Sequence, residues 1–149
     1  VSPYKNTTGL MFRLVPYKDG HTLTDVTIQV TCSFQVEENG EMQYKFYNLN
    51  LERNRVDSLA MNWTVVHPID EGSPLINFTS NDMKVADLEL YVLMRGFDDV
   101  YSNTVLQRTS YTYDEIIFEA KFVPMYHESE DGKTTILEID KIHEYQLLG

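Results

Sequence analysis

Cysteine is almost absent from this 149-residue chain. Its single representative, Cys32, rules out a disulfide within the chain and a cysteine-based zinc cluster. Cys32 lies in the apolar stretch Val26–Val36, where we expect a buried and unreactive thiol. Long hydrophobic runs are also missing, because none approaches the roughly 18 residues that a membrane-spanning helix needs. No signal-peptide pattern is present at Val1, and we expect Val1 to continue a longer protein.

Positive charge is scarce, with 12 Lys and Arg residues against 23 Asp and Glu residues, a net charge of −11 and a pI near 4.6. A field of this sign repels phosphate backbones, so it argues against a nucleic-acid partner and against docking on an anionic bilayer. The same field attracts cations toward any concave surface. Solubility alone is the alternative explanation of so acidic a composition.

Strand-forming patterns dominate what is present. Ten Tyr and seven Phe residues against seven Gly residues fit a sheet-rich protein. Apolar and polar residues alternate from Val26 to Val36, which predicts a strand with one buried face. Asn39–Gly40 then predicts a type I′ hairpin turn, and Met42–Leu51 is the predicted return strand.

The remaining segments complete one all-β domain over residues 1–149, which we predict to be a sandwich of about eight or nine strands. We also predict a short helix at Ser80–Ala86 with Ser80 as its N-cap, and an ordered loop at His67–Pro74. The other predicted elements are strands at Leu10–Val15, Leu59–Val66, Leu88–Met94 (stopped by Gly96), Asn103–Tyr111, Ile116–Tyr126 and Thr134–Ile139, a turn at Asp131–Gly132 and a final short element at Ile142–Tyr145.

Enzymatic motifs are not found in the sequence. The four histidines are scattered, and there is no phosphate-binding loop, nucleophile elbow, dinucleotide fingerprint or calcium loop. His67 and Asp70 have two interpretations, an acid–base pair or a histidine that orders its own loop through backbone carbonyls, and we favour the second. The sequence therefore predicts no catalytic residue, no metal site and no cofactor, and a β-sandwich hydrolase lacks its catalytic constellation.

Three Asn-x-Thr sequons, at Asn6, Asn62 and Asn77, leave a different class of protein open. Together with the abundant aromatic residues they motivate a secreted β-sandwich adhesion or carbohydrate-binding module. Threonine is common in strands, however, so we expect these sequons to arise without glycosylation.

Three segments, in order and at matching separations, carry a family resemblance. They are Gly9–Leu14 (GLMFRL), Leu59–Leu75 (LAMNWTVVHPIDEGSPL) and Arg108–Tyr111 followed by Asp114–Phe118 (RTSY and DEIIF). The set resembles the C-terminal cytoplasmic domain of inward-rectifier potassium channels, the prokaryotic members in particular. The match covers nearly the whole chain, from about Leu10 to Tyr145.

The resemblance implies an immunoglobulin-like β-sandwich that assembles as a homotetramer around a fourfold axis at the cytoplasmic face of the plasma membrane. A central hole would extend the membrane pore for K⁺, while the transmembrane pore domain itself is absent from this chain. Gating would follow from rigid-body motion of the tetramer, transmitted to the inner helices of the pore. The resemblance also carries the broad description of a voltage-gated channel.

A constricting loop at the top of the cytoplasmic pore is the first site that the resemblance implies. Gly96 begins this loop, Phe97 falls at an apolar girdle position, and Ser102 and Asn103 fall near the narrow tip. A ring of four apolar side chains can dewet a pore and stop ions without a plug. Without the resemblance, Phe97 is equally well interpreted as a core aromatic residue.

An acid and a base, Asp99 and Arg108, match a family pair that stiffens this loop or ties neighbouring subunits together. Few cations for lipid recognition remain near the membrane-facing surface, only Lys5 and Lys18, so the resemblance supports no lipid sensing here.

Asp25 aligns with a pore-facing acid that attracts blocking Mg²⁺ or polyamines. Arg95 stands where strong rectifiers carry an acid, and Leu51 and Arg55 replace another acidic pair. Because a base in place of an acid reverses the local attraction, we expect only weak interaction with Mg²⁺ or polyamines.

Overall fold

The computed structural model describes residues 1–5, 7–14, 22–59, 62–123, 126–128, 135–137 and 144–148. The elements in this part of the chain are almost all strands. In order, they are β1 (Ser2–Tyr4), β2 (Thr7–Leu14), β3 (Leu23–Glu38), β4 (Glu41–Asn48), β5 (Arg55–Leu59), β6 (Trp63–Ile69), the helix α1 (Ser80–Val85), β7 (Glu89–Asp98), β8 (Asn103–Thr112), a 3-10 turn (Tyr113–Glu115), β9 (Ala120–Phe122), β10 (Tyr126–Glu128), β11 (Thr135–Leu137) and β12 (Tyr145–Leu147).

The long alternating strand is the organising element of the larger sheet. Val26, Ile28, Val30 and Cys32 of β3 are buried, as the alternation predicts. One edge of β3 pairs with β7, and the other is shared by β5 along its first part and β4 along its second. Because β7 also pairs with β8, the result is a five-stranded antiparallel sheet.

The hairpin between β3 and β4 forms at the predicted dipeptide. Asn39 and Gly40 both have positive φ angles, 55° and 80°, as a type I′ turn requires, and Glu38 pairs with Glu41 across it. This turn therefore fixes the register of the two strands.

A three-stranded sheet, in the order β1–β2–β6, supplies the other main layer. Leu10, Val65 and Ile69 from this layer join Val30 and Leu90 of the larger sheet in one buried hydrophobic core. Fully burying an aliphatic side chain stabilises the fold by about 1.5–3 kcal/mol, so contact between the two layers is the main cohesive force. The chain is an all-β sandwich, as predicted.

The thiol of Cys32 belongs to this core. Its residue is 0% exposed, and burial raises the pKa of the thiol to about 11. An ionised thiolate is therefore suppressed at neutral pH, as expected for an unreactive cysteine.

The segment around Trp63 differs from the prediction. Leu59–Val66 is divided between β5 and β6, and its residues 60–61 lie outside the described part. The predicted loop at His67–Pro74 begins later, since β6 continues to Ile69, with Pro68 opposite Gly9. Pro68 is tolerated because β6 is an edge strand, so the missing N–H interrupts no second ladder.

The helix α1 forms where predicted, but its N-cap lies one residue before the expected one. Thr79 is the N-cap, and its hydroxyl accepts a hydrogen bond from the Asp82 amide at 3.1 Å. The Asp82 carboxylate accepts the Thr79 amide in return at 2.8 Å, which completes a capping box. Ser80 is therefore the first residue inside the helix.

The C-terminal part is more broken than the sequence indicates. The predicted strand Ile116–Tyr126 is reduced to β9, preceded by the 3-10 turn, and Tyr126 begins β10. The strand β11 lies within the predicted strand Thr134–Ile139. The strand β12 begins at Tyr145, the last residue of the predicted element Ile142–Tyr145. The turn predicted at Asp131–Gly132 lies outside the described residues.

Candidate functional site

The β7–β8 hairpin gathers the four residues assigned to the constricting loop at one end of the larger sheet. Phe97 pairs with Thr104, Gly96 with Val105 and Asp98 with Asn103. The prediction that Gly96 stops its strand is wrong, because β7 continues through Phe97 to Asp98. The turn itself is the short segment that follows, and Ser102 adopts a left-handed conformation there with a φ of 51°.

Gly96 is closely packed inside the strand. A Cβ atom at this position would lie 3.2 Å from Cγ2 of Val26 and 3.6 Å from Cβ of Leu23. The register between β3 and β7 shifts between Thr24 and Thr27, so β3 carries one extra residue opposite Gly96. The two features together are a β-bulge with a glycine beneath it.

Asp25, the candidate pore acid, sits on this bulge. Its φ of 51° is a left-handed conformation, which Asp tolerates better than most residues. Its side chain is 66% exposed, so the bulge presents the carboxylate to solvent at the same end of the sheet as Gly96.

Phe97 faces away from the core. Residues that alternate with it on β7, including Met94 and Gly96, are buried, whereas Phe97 is 38% exposed. Thr24 Oγ1 donates to its carbonyl at 3.5 Å, so β3 adjoins its backbone. Of the two interpretations offered by the sequence, the core aromatic residue is the wrong one.

The turn beyond Phe97 is organised by a residue that the sequence reasoning passed over. Asp98 is 0% exposed, and its Oδ1 accepts hydrogen bonds from the amides of Val100 at 2.9 Å and Tyr101 at 3.4 Å. The available signal was the preference of aspartate for positions where its side chain bonds to the backbone of a turn. Val100 and Tyr101 themselves are 58% and 55% exposed.

Asp99 and Arg108 do not pair within one chain. Asp99 directly follows Asp98, which pairs with Asn103 at the end of the hairpin. Arg108 lies five residues further along β8 than Asn103. At about 3.4 Å per residue this is a separation of about 17 Å, beyond the combined reach of the two side chains. Of the two roles that the family pair offers, only a contact between subunits is compatible with this register.

Asp25 already has a basic partner. Its Oδ1 lies 2.7 Å from Nη2 of Arg55, and Asp57 lies 3.7 Å from the same nitrogen. Arg55 and Arg95 also flank Thr27 on β3 from opposite sides, so both guanidinium groups share the outward face near the bulge. The arrangement brings Asp25 together with Arg55 and Arg95, the two bases that the resemblance matched to acidic positions of strong rectifiers.

Two other positions named from the sequence, Leu51 and Lys5, lie apart from Asp25 and its neighbouring bases. Leu51 is half-buried against the core. Lys5 lies over the ring of Tyr4 at 5.2 Å from its centroid, and Lys18 is outside the described residues.

His67 orders its loop, as the favoured interpretation predicts. The residue is 2% exposed, its Nδ1 donates to the carbonyl of Asn50, and its Nε2 accepts from the Ser73 hydroxyl at 2.7 Å. Ser73 Oγ in turn accepts the Leu75 amide at 3.1 Å. Burial lowers the pKa of His67, so the ring is neutral at pH 7. Asp70 caps a turn by accepting the Gly72 amide and makes no acid–base pair with His67.

Across the described ranges, no group of three or more His, Cys, Asp or Glu side chains is placed to hold a metal ion. None of the helices among these residues is long and apolar enough to cross a membrane.

The comparison with protein families identifies the family of this chain. The model described as the inward rectifier potassium channel C-terminal domain matches residues 1–147. The chain belongs to that family. It is an ion-channel family and not an enzyme family.

Individual inward-rectifier channels are similar over different parts of the chain. Kirbac3.1 of Paramagnetospirillum magnetotacticum is 28% identical over 144 residues, which are 97% of this chain and 48% of that protein. The ATP-sensitive channel 15 of Mus musculus is 30% identical over 70% of this chain and 24% of its own length. The ATP-sensitive channel 12 of the same organism is 32% identical over 46% of this chain and 16% of its own length.

The chain thus spans about half the length of Kirbac3.1 and less of the other two inward-rectifier channels. The names of the family and of these relatives describe inward rectifier potassium channels. None of these names supports voltage gating, so the description as a voltage-gated channel is not supported.

Proposed function

We propose that this chain is the cytoplasmic gating domain of an inward-rectifier potassium channel and acts as a single domain over residues 1–149. Four copies assemble around a fourfold axis, extend the membrane pore into the cytoplasm and couple to its inner gate. The partners are second copies of the chain, the channel's own transmembrane pore domain and the K⁺ ions that pass along the axis. The observation that carries the proposal is the β7–β8 end, where exposed Phe97 lies beside Gly96.

The gate in this proposal is a ring of apolar side chains. Phe97 is exposed, outward-facing and held on a paired strand, so four copies present four aromatic rings in a fixed geometry. Ser102 and Asn103 close the hairpin next to it. A constriction of this kind stops ions by excluding water, and a small rigid-body displacement of the domain opens it.

Assembly is supported by the outer face of the larger sheet, meaning the face that points away from the core. Besides Phe97, five large hydrophobic side chains lie on it, each between 37% and 66% exposed: Met42, Tyr44, Phe46, Tyr91 and Leu106. Exposed apolar surface of this extent marks an interaction site. Copies with a net charge of −11 repel one another, so contact between them requires such a weakly charged surface.

Arg95 and Arg108 lie on the same outer face, and in the described part of the chain neither forms an ion pair. A closed ring of four requires head-to-tail contacts between two different surfaces of the chain. Arg108 of one copy and Asp99 of the next form one such contact in the proposed tetramer. The pair fixes geometry, since an exposed ion pair contributes only about 0–1 kcal/mol.

Polyvalent cations interact weakly with this pathway. Asp25 is the candidate pore acid, but its carboxylate is held by Arg55 at 2.7 Å, and Arg95 adds a second positive charge nearby. The net local field therefore favours Mg²⁺ and polyamines far less than an unpaired ring of acids would.

The test is Phe97→Ala in the full-length channel, recorded in planar bilayers. Removing the aromatic ring widens and wets the constriction, so we expect a higher conductance or open probability. Val85→Ala is the matched control, because Val85 is 69% exposed on α1 and lies outside the proposed gate. Unchanged gating in the Phe97 variant contradicts the girdle.

The secreted adhesion or carbohydrate-binding module was the alternative from the sequence. Family membership removes its main motivation. Of its three sequons, Asn6 is outside the described residues and Asn62 is half-buried, which leaves Asn77 as the exposed one.

A further inference from the structure

Asp98 combines full burial with an ionisable side chain at the end of β7. It is 0% exposed, although the next residue, Asp99, is exposed. Burying a carboxylate is costly unless hydrogen bonds replace its hydration. Two of those bonds come from the backbone amides of Val100 and Tyr101. The buried acid is therefore tied directly to the backbone of the hairpin turn.

The turn that Asp98 holds is the tip of the hairpin and contains two of the exposed large hydrophobic residues. Four residues, 99–102, reverse the chain between Asp98 and its strand partner Asn103, and Ser102 takes the left-handed conformation that completes the reversal. Both residues whose amides meet the carboxylate expose large apolar side chains. An aspartate side chain that accepts two successive amides imitates a backbone turn and fixes its direction.

We propose that Asp98 is a positioning residue for the gate: its buried carboxylate holds the amides of Val100 and Tyr101 and so sets how these two side chains project into the conduction pathway. This inference rests on the proposed function, because it assigns the hairpin tip to the same constriction as Phe97. Asp98 acts through the backbone of the tip and touches no ion.

Two substitutions separate its hydrogen bonds from its charge. Asp98→Ala removes the acceptor and leaves the two amides without it. Asp98→Asn keeps an acceptor oxygen at nearly the same volume and removes the charge. Glu71→Ala is the control for a loss of one negative charge, since Glu71 is exposed in the turn after β6 and lies outside the β7–β8 hairpin.

The first measurement is hydrogen exchange by NMR on this chain. In Asp98→Ala we expect the amides of Val100 and Tyr101 to exchange about tenfold faster, while the β3–β7 ladder stays protected. Asp98→Asn should restore most of the protection, and Glu71→Ala should change none of it. Unaltered exchange at Val100 in a folded Asp98→Ala variant overturns the positioning role. If Asp98→Ala does not fold, exchange in the wild type decides: protection of the Val100 and Tyr101 amides supports the positioning role, and exchange as fast as that of an unbonded turn amide overturns it.

The second measurement records the same variants in the full-length channel. We expect Asp98→Ala to change open probability several-fold with unchanged selectivity for K⁺ over Na⁺, and Asp98→Asn to return gating toward wild type. If Asp98→Ala speeds exchange of the two amides but gates like wild type, the inference is overturned. A gating change in Phe97→Ala would in that case leave the proposed function intact. If neither Asp98→Ala nor Phe97→Ala alters gating, the proposed function itself fails.

Discussion

The guanidinium of Arg55 lies 2.7 Å from the carboxylate of Asp25, and this exposed ion pair lies beside the β-bulge of β3 on the outward face of the larger sheet. The candidate pore acid is held in place by a base from the neighbouring strand. Its attraction for polyvalent cations is therefore largely offset within the same subunit.

The first prediction concerns that pair. Arg55→Gln leaves Asp25 with an uncompensated charge, so Mg²⁺ or spermine should block the full-length channel more strongly. Because the pair is exposed, the block should tighten by about two- to fivefold, the range that corresponds to less than about 1 kcal/mol. The dose–response of current against Mg²⁺ measures it. The double variant with Asp25→Asn should return to the wild-type value, and equal tightening in that double variant contradicts the account.

The second prediction concerns the glycine beneath the bulge. A methyl group at position 96 would meet Cγ2 of Val26 at 3.2 Å, so Gly96→Ala should lower the free energy of unfolding by about 1–3 kcal/mol. Urea unfolding followed by tryptophan fluorescence measures the loss, since Trp63 is the only tryptophan. Combining Gly96→Ala with Val26→Ala should cost less than the sum of the two single changes. If the losses of unfolding free energy in the two single variants add up to that of the double variant, the two positions are not in steric conflict.

Much of the fold was predictable, because alternation and turn chemistry are local properties. The pattern of Val26–Val36 predicted β3, and Asn39–Gly40 predicted the turn that follows it. The bulge at Asp25 was not predictable, since it depends on how β3 meets a strand about 70 residues later in the chain. The same holds for Gly96, which resembles a strand terminator in sequence and is closely packed against Val26 within the strand in the structure.

The candidate site shows the same division. Phe97 could be placed near the end of a strand, but its outward direction required the register of β7. Asp98 and Asp99 are indistinguishable as two acids before a turn, whereas one is fully buried and the other exposed. Pro68 looked like a strand breaker, and only the edge position of β6 explains why it is tolerated.

The third prediction is a pH dependence of stability that arises from His67. Burial holds its folded-state pKa below the ordinary value of 6.5, so the unfolded chain binds the proton more readily. The contribution of the neutral ring is fully present above about pH 6.5 and is lost as the pH falls below that value. The urea concentration at the unfolding midpoint should therefore decrease as the pH is lowered from 7.5 to 5.5.

Asp70 is the charged group that acts on His67 and partly opposes the effect of burial. The variant His67→Gln removes the titrating ring and should show a smaller change between these two pH values, whatever its absolute stability. A pH dependence as large as that of wild type would assign the effect to other groups.

The fourth prediction tests the N-cap of α1. Thr79→Ala removes the hydroxyl that accepts the Asp82 amide and should destabilise the chain by about 0.5–2 kcal/mol. Ser80→Ala, one residue later and inside the helix, should change stability by only a few tenths of a kcal/mol. Thermal unfolding of the two variants side by side separates them. A larger loss in the Ser80 variant would restore Ser80 as the cap.

The central claim is that four copies of this chain form a ring in which the β7–β8 hairpin of one meets that of the next. The most direct test places cysteines at Asp99 and Arg108 in the full-length channel, in membranes, and adds a short bis-maleimide reagent. Within one chain these positions are about 17 Å apart, beyond the reagent's reach, so every cross-link joins different subunits. Wild type, with only the buried Cys32 in this domain, is the control. The account predicts a ladder of cross-linked bands that ends at the tetramer. Bands that remain at the monomer in a conducting channel would contradict it.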